Sequence, residues 1–187
     1  MKRARPLRRG VLLVAAPHLP DFFHEAVVLL LEHSPEGGAL GVVLNRPTEL
    51  PIADALPRWS RLAAPPPHVY IGGPVDPAVA IGLIGLPSGV APGGWAAVLD
   101  GLWLVDLDHD PDRLGAEAEG VRLYSGYAGW APGQLEVELA TDAWFVLPAE
   151  VGDVFASDPG QLWRRVLARQ GGEYRMYANF PPDPSVN

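Results

Sequence analysis

The sequence predicts one α+β domain, because short apolar runs typical of strands outnumber helical segments and do not alternate with them regularly. Of its 187 residues, 48% are hydrophobic and 19% are charged, a balance that suits a single domain with a sizeable core. Its 21 Gly and 21 Pro are scattered without a period, as expected of many short turns between short elements. With no internal repeat or linker, the chain divides only into a basic arm, residues 1–9, and a single domain, residues 10–187.

The first half of the chain is predicted to consist mainly of short strands. Its apolar runs are rich in aliphatic side chains and are bounded by turn-forming residues, which is typical of buried strands. Two of these runs flank residues 34–38 (SPEGG), where a proline followed by two glycines indicates a hairpin. Neither run alternates polar with apolar residues, so both faces should be covered. The predicted elements are strands over residues 11–16, 26–33, 39–45 and 68–71 and a short helix over 52–56, capped by Thr48.

The second half adds further strands and most of the helical residues. A carboxylate at Asp110 favours a helix N-terminus, where negative charge is stabilised. The clearest helix follows Ser157 and ends at the glycine pair 171–172, after which the last fifteen residues are predicted to be an extended tail. The apolar face of that helix is formed by Leu162, Trp163, Val166 and Leu167. The predicted elements are strands over residues 79–86, 98–107, 121–124 and 143–147 and helices over 110–120, 132–141 and 157–170.

The composition excludes several classes of function. The chain contains no cysteine, so it has no disulfide, thiolate metal site or cysteine nucleophile, and it suits the reducing cytoplasm. Five of the 14 basic residues lie before Gly10, which leaves nine basic side chains against 22 acidic ones in the remainder. An acidic body repels the phosphate backbone of nucleic acids. Direct DNA binding by the domain itself is therefore not expected.

The N-terminal arm begins like a signal peptide but does not meet the requirements of one. Arg8 and Arg9 precede an apolar run of about six residues, whereas a signal peptide needs roughly 7–15. No later run approaches the ~18 residues that would span a bilayer. We therefore expect a cytoplasmic protein without membrane contact. Its arm could add phosphate contacts but could not specify a DNA sequence.

A segment rich in histidine and carboxylate residues near the N-terminus raises the question of a metal site. Zinc favours such ligands, but His24 and Glu25 lack the second histidine that the HExxH motif requires. In a strand, Glu32 and His33 would point to opposite faces. We therefore predict no metal or other cofactor and keep, as an alternative, a metal-assisted hydrolase. The candidate metal ligands are His18, Asp21, His24, Glu25, Glu32 and His33, of which the hydrolase would use the three histidines.

Asn45, Arg46 and Thr48 form the most suggestive binding motif, within the sequence NRPT. Asparagine carries a donor and an acceptor, arginine has a rigid fork suited to carboxylate or phosphate, and threonine offers a hydroxyl. A structural interpretation competes with this one. Asn45 would adopt a left-handed turn after the strand, Thr48 would cap the next helix and Arg46 would pair with a carboxylate such as Glu32. Turn chemistry explains most polar turn residues, so the structural interpretation is favoured.

Two later segments also contain residues of the kind that bind ligands. Gly72 and Gly73 follow a predicted strand, where a backbone nest could hold an anion, although a tight turn is the ordinary explanation. Tyr127 and Trp130 lie among small residues, where their rings could form the wall of a ligand pocket or serve as core anchors. The serines lie outside a GxSxG motif, and no catalytic residue is assigned.

Three sequence signatures occur in a specific order along the chain. They are GVLLVAAPHLPDFFHEAVVLLLEHSPEGGALGVVLNRPT at residues 10–48, GGPV at 72–75, and GYAGW with GQLE between residues 126 and 136. Together they resemble the YqgE/AlgH family of small bacterial proteins, along the whole chain. The resemblance implies a curved, bifurcated β-sheet that forms a pseudo-barrel flanked by a few short helices. It implies little chemistry, because the role of the family is unsettled and some members are labelled transcriptional regulators.

We therefore predict a binding or regulatory module and favour a non-catalytic role over an enzymatic one. The predicted partner is an unidentified protein or small molecule. The first alternative is the metal-assisted hydrolase, and the second is a regulator that contacts DNA phosphates through the basic arm. The predicted binding surface consists of Asn45, Arg46, Thr48, Gly72, Gly73, Tyr127 and Trp130.

Overall fold

Ten β-strands form one curled, mostly antiparallel sheet in the computed structural model, which describes residues 5–114 and 116–179. The strands are β1 (Val11–Ala15), β2 (Val27–Ser34), β3 (Gly38–Val43), β4 (Pro47–Pro51), β5 (His68–Ile71), β6 (Val75–Gly85), β7 (Ala96–Leu99), β8 (Leu102–Val105), β9 (Gly120–Trp130) and β10 (Trp144–Pro148). The α-helices of the described residues are α1 (Ile52–Ala55), α2 (Gln134–Ala140), α3 (Val151–Val154), α4 (Leu162–Gln170) and α5 (Gly172–Ala178). Among these residues, no helix is long and apolar enough to cross a membrane.

Strand β9 is the branch point of the sheet. The main path runs in the order β10-β1-β2-β3-β9-β6-β8-β7. β9 pairs with β6 along most of its length and with β3 only through residues 128–130. An earlier part of β9 pairs in parallel with β5, which has β4 as its other neighbour. The predicted α+β class and the bifurcated half-barrel are confirmed.

Both faces of the first strands are buried, as their continuous apolar runs predict. Leu12 and Val14 of β1 belong to an inner cluster that includes the apolar face of α4. Leu13 and Ala15 belong to an outer cluster beside α2. Trp163 of α4 also donates a hydrogen bond from its indole Nε1 to the carbonyl oxygen of Ala15, at 2.8 Å. Helix α4 therefore fills the inside of the half-barrel, and its predicted apolar face is confirmed.

Arg122 of β9 is a fully buried cation in this inner core. Its guanidinium lies 4.5 Å from the centre of the Tyr70 ring, in a cation–π contact. Burial raises the pKa of the phenols of Tyr70 and Tyr124, so both stay protonated beside the guanidinium. The guanidinium donates to four main-chain carbonyl oxygens, those of Ala64 (2.9 Å), Pro65 (3.0 Å), Pro66 (2.6 Å) and Val154 (3.3 Å).

Two segments in the second half of the chain differ from the sequence-based prediction. The strand predicted over residues 98–107 is a hairpin of two strands, β7 and β8, because Asp100 and Gly101 turn the chain. Gly101 adopts a φ of +82°, a left-handed value that suits glycine. The helix predicted to begin at Asp110 is only the 3-10 turn Pro111–Arg113. Asp110 caps this turn, because its side chain accepts a hydrogen bond from the main-chain N–H of Asp112, at 3.1 Å.

The predicted C-terminal tail is partly helical. Its first residues form α5, in which Tyr174 and Tyr177 place their rings 5.2 and 5.3 Å from the ring of Phe145. Arg164 of α4 donates a hydrogen bond to the carbonyl oxygen of Ala178, at 2.9 Å. Aromatic contacts across the chain therefore order this segment, which local sequence patterns could not show. The remainder of the predicted tail, residues 180–187, lies outside the described residues.

Candidate functional site

Asn45 hydrogen-bonds main-chain atoms with both ends of its amide. Its Oδ1 accepts from the N–H of Val27, at 3.0 Å, and its Nδ2 donates to the carbonyl oxygen of Glu25, at 2.9 Å. The residue is only 6% exposed. Asn45 therefore ties the end of β3 to the segment that precedes β2, and its polar atoms serve the fold.

Arg46 binds the same preceding segment, residues 21–25, through main-chain oxygens. Its guanidinium donates to the carbonyl oxygen of His24 and, at 3.5 Å, to that of Phe22. Burial lowers the pKa of this guanidinium, and the nearby carboxylate of Glu25 raises it. Arg46 therefore fixes the path of the 21–25 segment, and its positive charge lies near the carboxylate of Glu25.

The 21–25 segment has a strained backbone that several contacts hold in place. Asp21 and Glu25 adopt φ values of 57° and 52°, in the left-handed region that residues other than glycine rarely occupy. Arg164 of α4 adds an ion pair to the carboxylate of Glu25, at 3.2 Å. The left-handed turn predicted at Asn45 is wrong. The left-handed residues are instead Asp21 and Glu25, at the two ends of this segment. Strain of this kind persists only where surrounding contacts enforce it.

Thr48 joins two strands and does not cap a helix. Its Oγ1 donates to the carbonyl oxygen of Val69 in β5, at 2.7 Å, and accepts from the N–H of Leu50, at 3.1 Å. Helix α1 has Pro51 at its N-cap position, with no side-chain cap. The predicted capping role of Thr48 is wrong, because the chain forms strand β4 before it enters the helix.

Gly72 and Gly73 allow the turn between β5 and β6 to lie directly on β9. A Cβ at Gly73 would stand 2.0 Å from the carbonyl carbon of Tyr127, and one at Gly72 would stand 2.3 Å from the carbonyl oxygen of Gly126. The N–H of Gly72 donates to the carbonyl oxygen of Ser125, at 2.9 Å, and is not available to an anion. The glycine pair therefore serves close packing, which also fixes the position of Pro74.

Tyr127 and Trp130 lie within strand β9 rather than in a glycine turn. Tyr127 is half-buried, and its ring passes alongside Gly129, where a Cβ would stand 3.4 Å from Cε2 of the ring. Trp130 is 6% exposed and donates from its indole Nε1 to Oε2 of Glu138 in α2, at 2.9 Å. Trp130 is therefore a core anchor whose edge also reaches a surface cavity.

That cavity, which we name the aromatic groove, has a volume of about 710 Å³. It lies between the 18–23 loop on one side and α2 on the other. Phe22 and Phe23 have ring centres 5.1 Å apart, Phe23 and Trp144 5.4 Å, and Trp144 and Trp130 5.9 Å, each pair edge to face. The residues that line the aromatic groove include His18, Leu19, Asp21, Phe22, Phe23, Pro74, Trp130, Gln134, Glu138 and Trp144.

Glu138 places a fixed negative charge in the wall of the aromatic groove. Its Oε2 accepts hydrogen bonds from the indole Nε1 atoms of Trp130, at 2.9 Å, and Trp144, at 2.8 Å. Its Oε1 accepts from Nε2 of Gln134, at 2.9 Å. All three donors are neutral, and the carboxylate forms no ion pair with any residue that the structure describes.

A second groove of about 700 Å³ adjoins the aromatic groove along the end of β9. Tyr127 lies in its wall, and His33 there hydrogen-bonds Glu136 of α2, with 2.8 Å between Nε2 and Oε1. This hydrogen bond lowers the pKa of Glu136. Glu32 lines the same groove and lies 3.8 Å from the guanidinium of Arg9, so its predicted pairing with Arg46 is wrong.

The three histidines of the metal hypothesis are not gathered into a ligand set. His33 is bound to Glu136 at the second groove, His18 lines the aromatic groove and His24 offers its carbonyl oxygen to Arg46. Over residues 5–114 and 116–179, no group of three or more histidine, cysteine, aspartate or glutamate side chains is placed to hold a metal ion. The geometry therefore gives the hydrolase alternative no support.

Arg9 of the basic arm is bound to the folded domain. Its Nε donates to the carbonyl oxygen of Leu31 in β2, at 2.7 Å, and its Nη1 donates to that of Ala97 in β7, at 3.3 Å. These contacts link a central strand to the edge strand of the sheet. Arg9 is therefore already engaged, while Lys2 and Arg3 of the predicted arm lie outside the described residues.

The predicted binding residues are brought together only in part. Trp130 lines the aromatic groove and Tyr127 lines the second groove. Asn45 and Arg46 hold the 21–25 segment, whose rings line the aromatic groove, without lining it themselves. Gly72 and Gly73 precede Pro74, which lines the aromatic groove. Thr48 joins β4 to β5 and lines neither groove.

Sequence reasoning misses four residues that dominate the aromatic groove, namely Phe22, Phe23, Glu138 and Trp144. They lie on three separate segments, so no local pattern connects them. One signal was available, because Gln134 and Glu138 are four positions apart in a predicted helix and must share a face.

Comparison with known proteins gives a consistent set of relatives. The AlgH-like family model (DUF179) matches residues 12–175. A UPF0301 protein of Streptomyces avermitilis is 49% identical over 183 residues, which cover 95% of this chain and 94% of that protein. A UPF0301 protein of Mycobacterium tuberculosis is 44% identical over 188 residues, with 98% and 93% covered.

Two solved structures share the fold along almost the whole chain. The crystal structure of a Corynebacterium diphtheriae protein superposes with a TM-score of 0.88 at 33% identity, covering 96% of this chain and 95% of that one. The solution structure of the AlgH protein from Pseudomonas aeruginosa gives a TM-score of 0.68 at 31% identity, covering 97% and 98%. The names of these relatives specify neither a reaction nor a ligand.

Proposed function

Since this chain belongs to the AlgH-like family, we propose that it is a non-catalytic binding or regulatory module whose partner occupies the aromatic groove. One observation carries the proposal: three separate segments meet at this groove. The asparagine–arginine pair after β3 holds one wall, the glycine turn before β6 presents Pro74 and the end of β9 supplies Trp130.

The groove wall is preorganised, which favours binding over a transient opening. Asn45, Arg46 and Arg164 together fix a strained five-residue segment, so Phe22 and Phe23 are presented without further ordering. A surface that is already ordered loses less conformational entropy when a partner binds. This accounts for the use of three polar side chains on one short segment.

The chemistry of the groove favours recognition over catalysis. Both oxygens of Glu138 accept hydrogen bonds from neutral donors, which hold its charge in place. A general base instead needs an oxygen directed at the proton that it removes. The aromatic rings offer contact area, and the polar groups fix orientation, which is the usual division of roles in a binding site.

A regulatory role would act through a protein or small-molecule partner rather than through direct contact with DNA. Beyond residue 9, the chain contains nine basic and 22 acidic residues. The guanidinium of Arg9 already donates hydrogen bonds to the carbonyl oxygens of Leu31 and Ala97. The domain surface therefore repels phosphate backbones. The proposal includes a cytoplasmic location, with which a chain free of cysteine is compatible.

Site-specific crosslinking in the native host tests this proposal. A photoreactive phenylalanine analogue placed at Phe22 should give a discrete adduct, protein or small molecule, that mass spectrometry identifies. The matched control carries the same analogue at Val137 of α2, which is 66% exposed but does not line the groove. Equal adducts at the two positions, or none at Phe22, would contradict a binding role for the aromatic groove.

A further inference from the structure

We propose that the aromatic groove recognises a cationic side chain, the guanidinium of an arginine or the ammonium of a lysine, carried by a peptide segment of a partner protein. This inference rests on the proposed function and adds the chemical class of the partner. Three features of the described residues support it: the carboxylate of Glu138 forms no ion pair, no lysine or arginine lines the groove, and the rings of Phe22 and Phe23 are partly exposed there.

The carboxylate of Glu138 is positioned but not neutralised. The indoles of Trp130 and Trp144 both donate to its Oε2, which fixes the oxygen without cancelling its charge. The residue is partly buried, where a charge is less screened than at an open surface. A cation entering the groove would complete this arrangement, because charge-assisted hydrogen bonds are about twice as strong as neutral ones.

The electrostatic surroundings favour the same sign of ligand. Asp21 lies in the groove wall as a second carboxylate, and it is exposed. Among residues 5–114 and 116–179, no lysine or arginine lines the groove. His18 is a further titratable side chain in the groove wall. A groove lined by one sign of charge attracts the opposite sign and rejects its own.

The rings add a second source of attraction for a cation. The planes of neighbouring rings meet at 88° for Phe22 and Phe23, 78° for Phe23 and Trp144, and 80° for Trp144 and Trp130. Phe22 and Phe23 are the partly exposed rings of this set, and the face of such a ring attracts a cation. Trp130 and Trp144, only 6% and 4% exposed, act instead through the carboxylate that their indoles hold. The volume of about 710 Å³ exceeds that of one side chain, so a peptide segment fits better than a free ion.

Nuclear magnetic resonance titration of the full-length, ¹⁵N-labelled protein tests the inference. The reporters are the indole N–H signals of Trp130 and Trp144, which lie on Glu138. The probes are N-acetyl-arginine methylamide, its neutral isostere built on citrulline, and the glutamate equivalent. We expect saturable shifts with the arginine probe, at least about tenfold weaker binding of the citrulline probe, and no shifts with the glutamate probe.

Charge-removing variants localise the effect. Glu138→Gln keeps the shape of the side chain and should reduce arginine-probe affinity to that of the citrulline probe. Glu136→Gln is the matched control on the same helix, because Glu136 binds His33 at the second groove, and it should leave affinity unchanged. If Glu138→Gln fails to fold, Asp21→Asn serves instead, since asparagine tolerates the left-handed backbone at this position; it should weaken the arginine probe about two- to threefold.

The outcomes separate this inference from the proposed function. Equal binding of the arginine and citrulline probes, or unchanged arginine affinity in Glu138→Gln, would overturn the cationic partner. So would the absence of saturable shifts with every probe. In each case an adduct specific to Phe22 in the crosslinking experiment would leave the groove as a binding site for a different class of partner.

Discussion

Replacing Asn45 by alanine distinguishes a residue that holds the groove wall from one that binds the ligand itself. The change removes the acceptor for the N–H of Val27 and the donor to the carbonyl oxygen of Glu25, at a residue only 6% exposed. A buried main-chain group left without a partner costs about 1–3 kcal/mol. The hydrogen bond to Val27 is buried and the one to Glu25 only partly buried, so the free energy of unfolding should fall by about 1–4 kcal/mol. That is a large share of the roughly 5–15 kcal/mol typical of a domain.

Urea unfolding followed by tryptophan fluorescence measures the loss. The matched control is Asn179→Ala, since the exposed Asn179 makes one hydrogen bond to the carbonyl oxygen of Arg175, at 3.1 Å; it should cost no more than about 0.5 kcal/mol. If Asn45→Ala does not fold, Asn45→Asp serves instead. It should lose less as the pH falls and its carboxyl is protonated, because that form restores both the acceptor for Val27 and a donor to Glu25. A loss below about 1 kcal/mol for Asn45→Ala would refute the reasoning.

Buried Arg122, the Gly73 turn and the His33–Glu136 pair give three further tests. Arg122→Met leaves four carbonyl oxygens without their donor and should lower the free energy of unfolding by at least about 4 kcal/mol in urea; a change under about 1 kcal/mol would contradict this. Gly73→Ala forces a Cβ against β9 and should cost about 3 kcal/mol in thermal unfolding, whereas Gly93→Ala, with open space around it, should cost little. The lowered pKa of Glu136 stabilises the fold above the unfolded value of about 4.3, and this contribution is lost as the pH falls through the folded value. The stability advantage of wild type over Glu136→Gln should therefore be present near about pH 6 and should shrink as the pH falls below about 4, and a difference independent of pH would argue against it.

The elements that could be predicted from sequence are those that depend on neighbouring residues. Continuous apolar runs predicted β1, β2 and β3, and the glycines and proline of residues 34–38 predicted the hairpin that joins the last two. Strand β4 could not be predicted in this way. Its residues Pro47–Pro51 begin and end with proline, include the polar pair Thr48 and Glu49 and are exposed or half-buried, and they form a strand only because β5 pairs with them. Propensity is overridden there by tertiary pairing.

The candidate site could be predicted only as a set of motifs, because its geometry arises between segments distant in the chain. The sequence motif singles out Asn45 and Arg46, but their partners are main-chain atoms of residues 21–27, which no spacing rule connects to them. Glu138 and Trp144 meet Trp130 only after α2 has folded back on the sheet. The polar side chains visible in the sequence therefore shape the groove, while less conspicuous rings line it.

The hydrogen bond between Trp163 and Ala15 joins residues that lie 148 positions apart in the chain. Strand β1, near the start of the chain, pairs with β10, and α4 fills the half-barrel from close to the other end. Loops this long must close before the contacts that stabilise them can form, which slows folding. During synthesis, the earlier strands emerge with an open apolar interior that only the final quarter of the chain covers. The nascent chain therefore completes this core only after α4 has been synthesised, and before then its apolar strands depend on protection from aggregation.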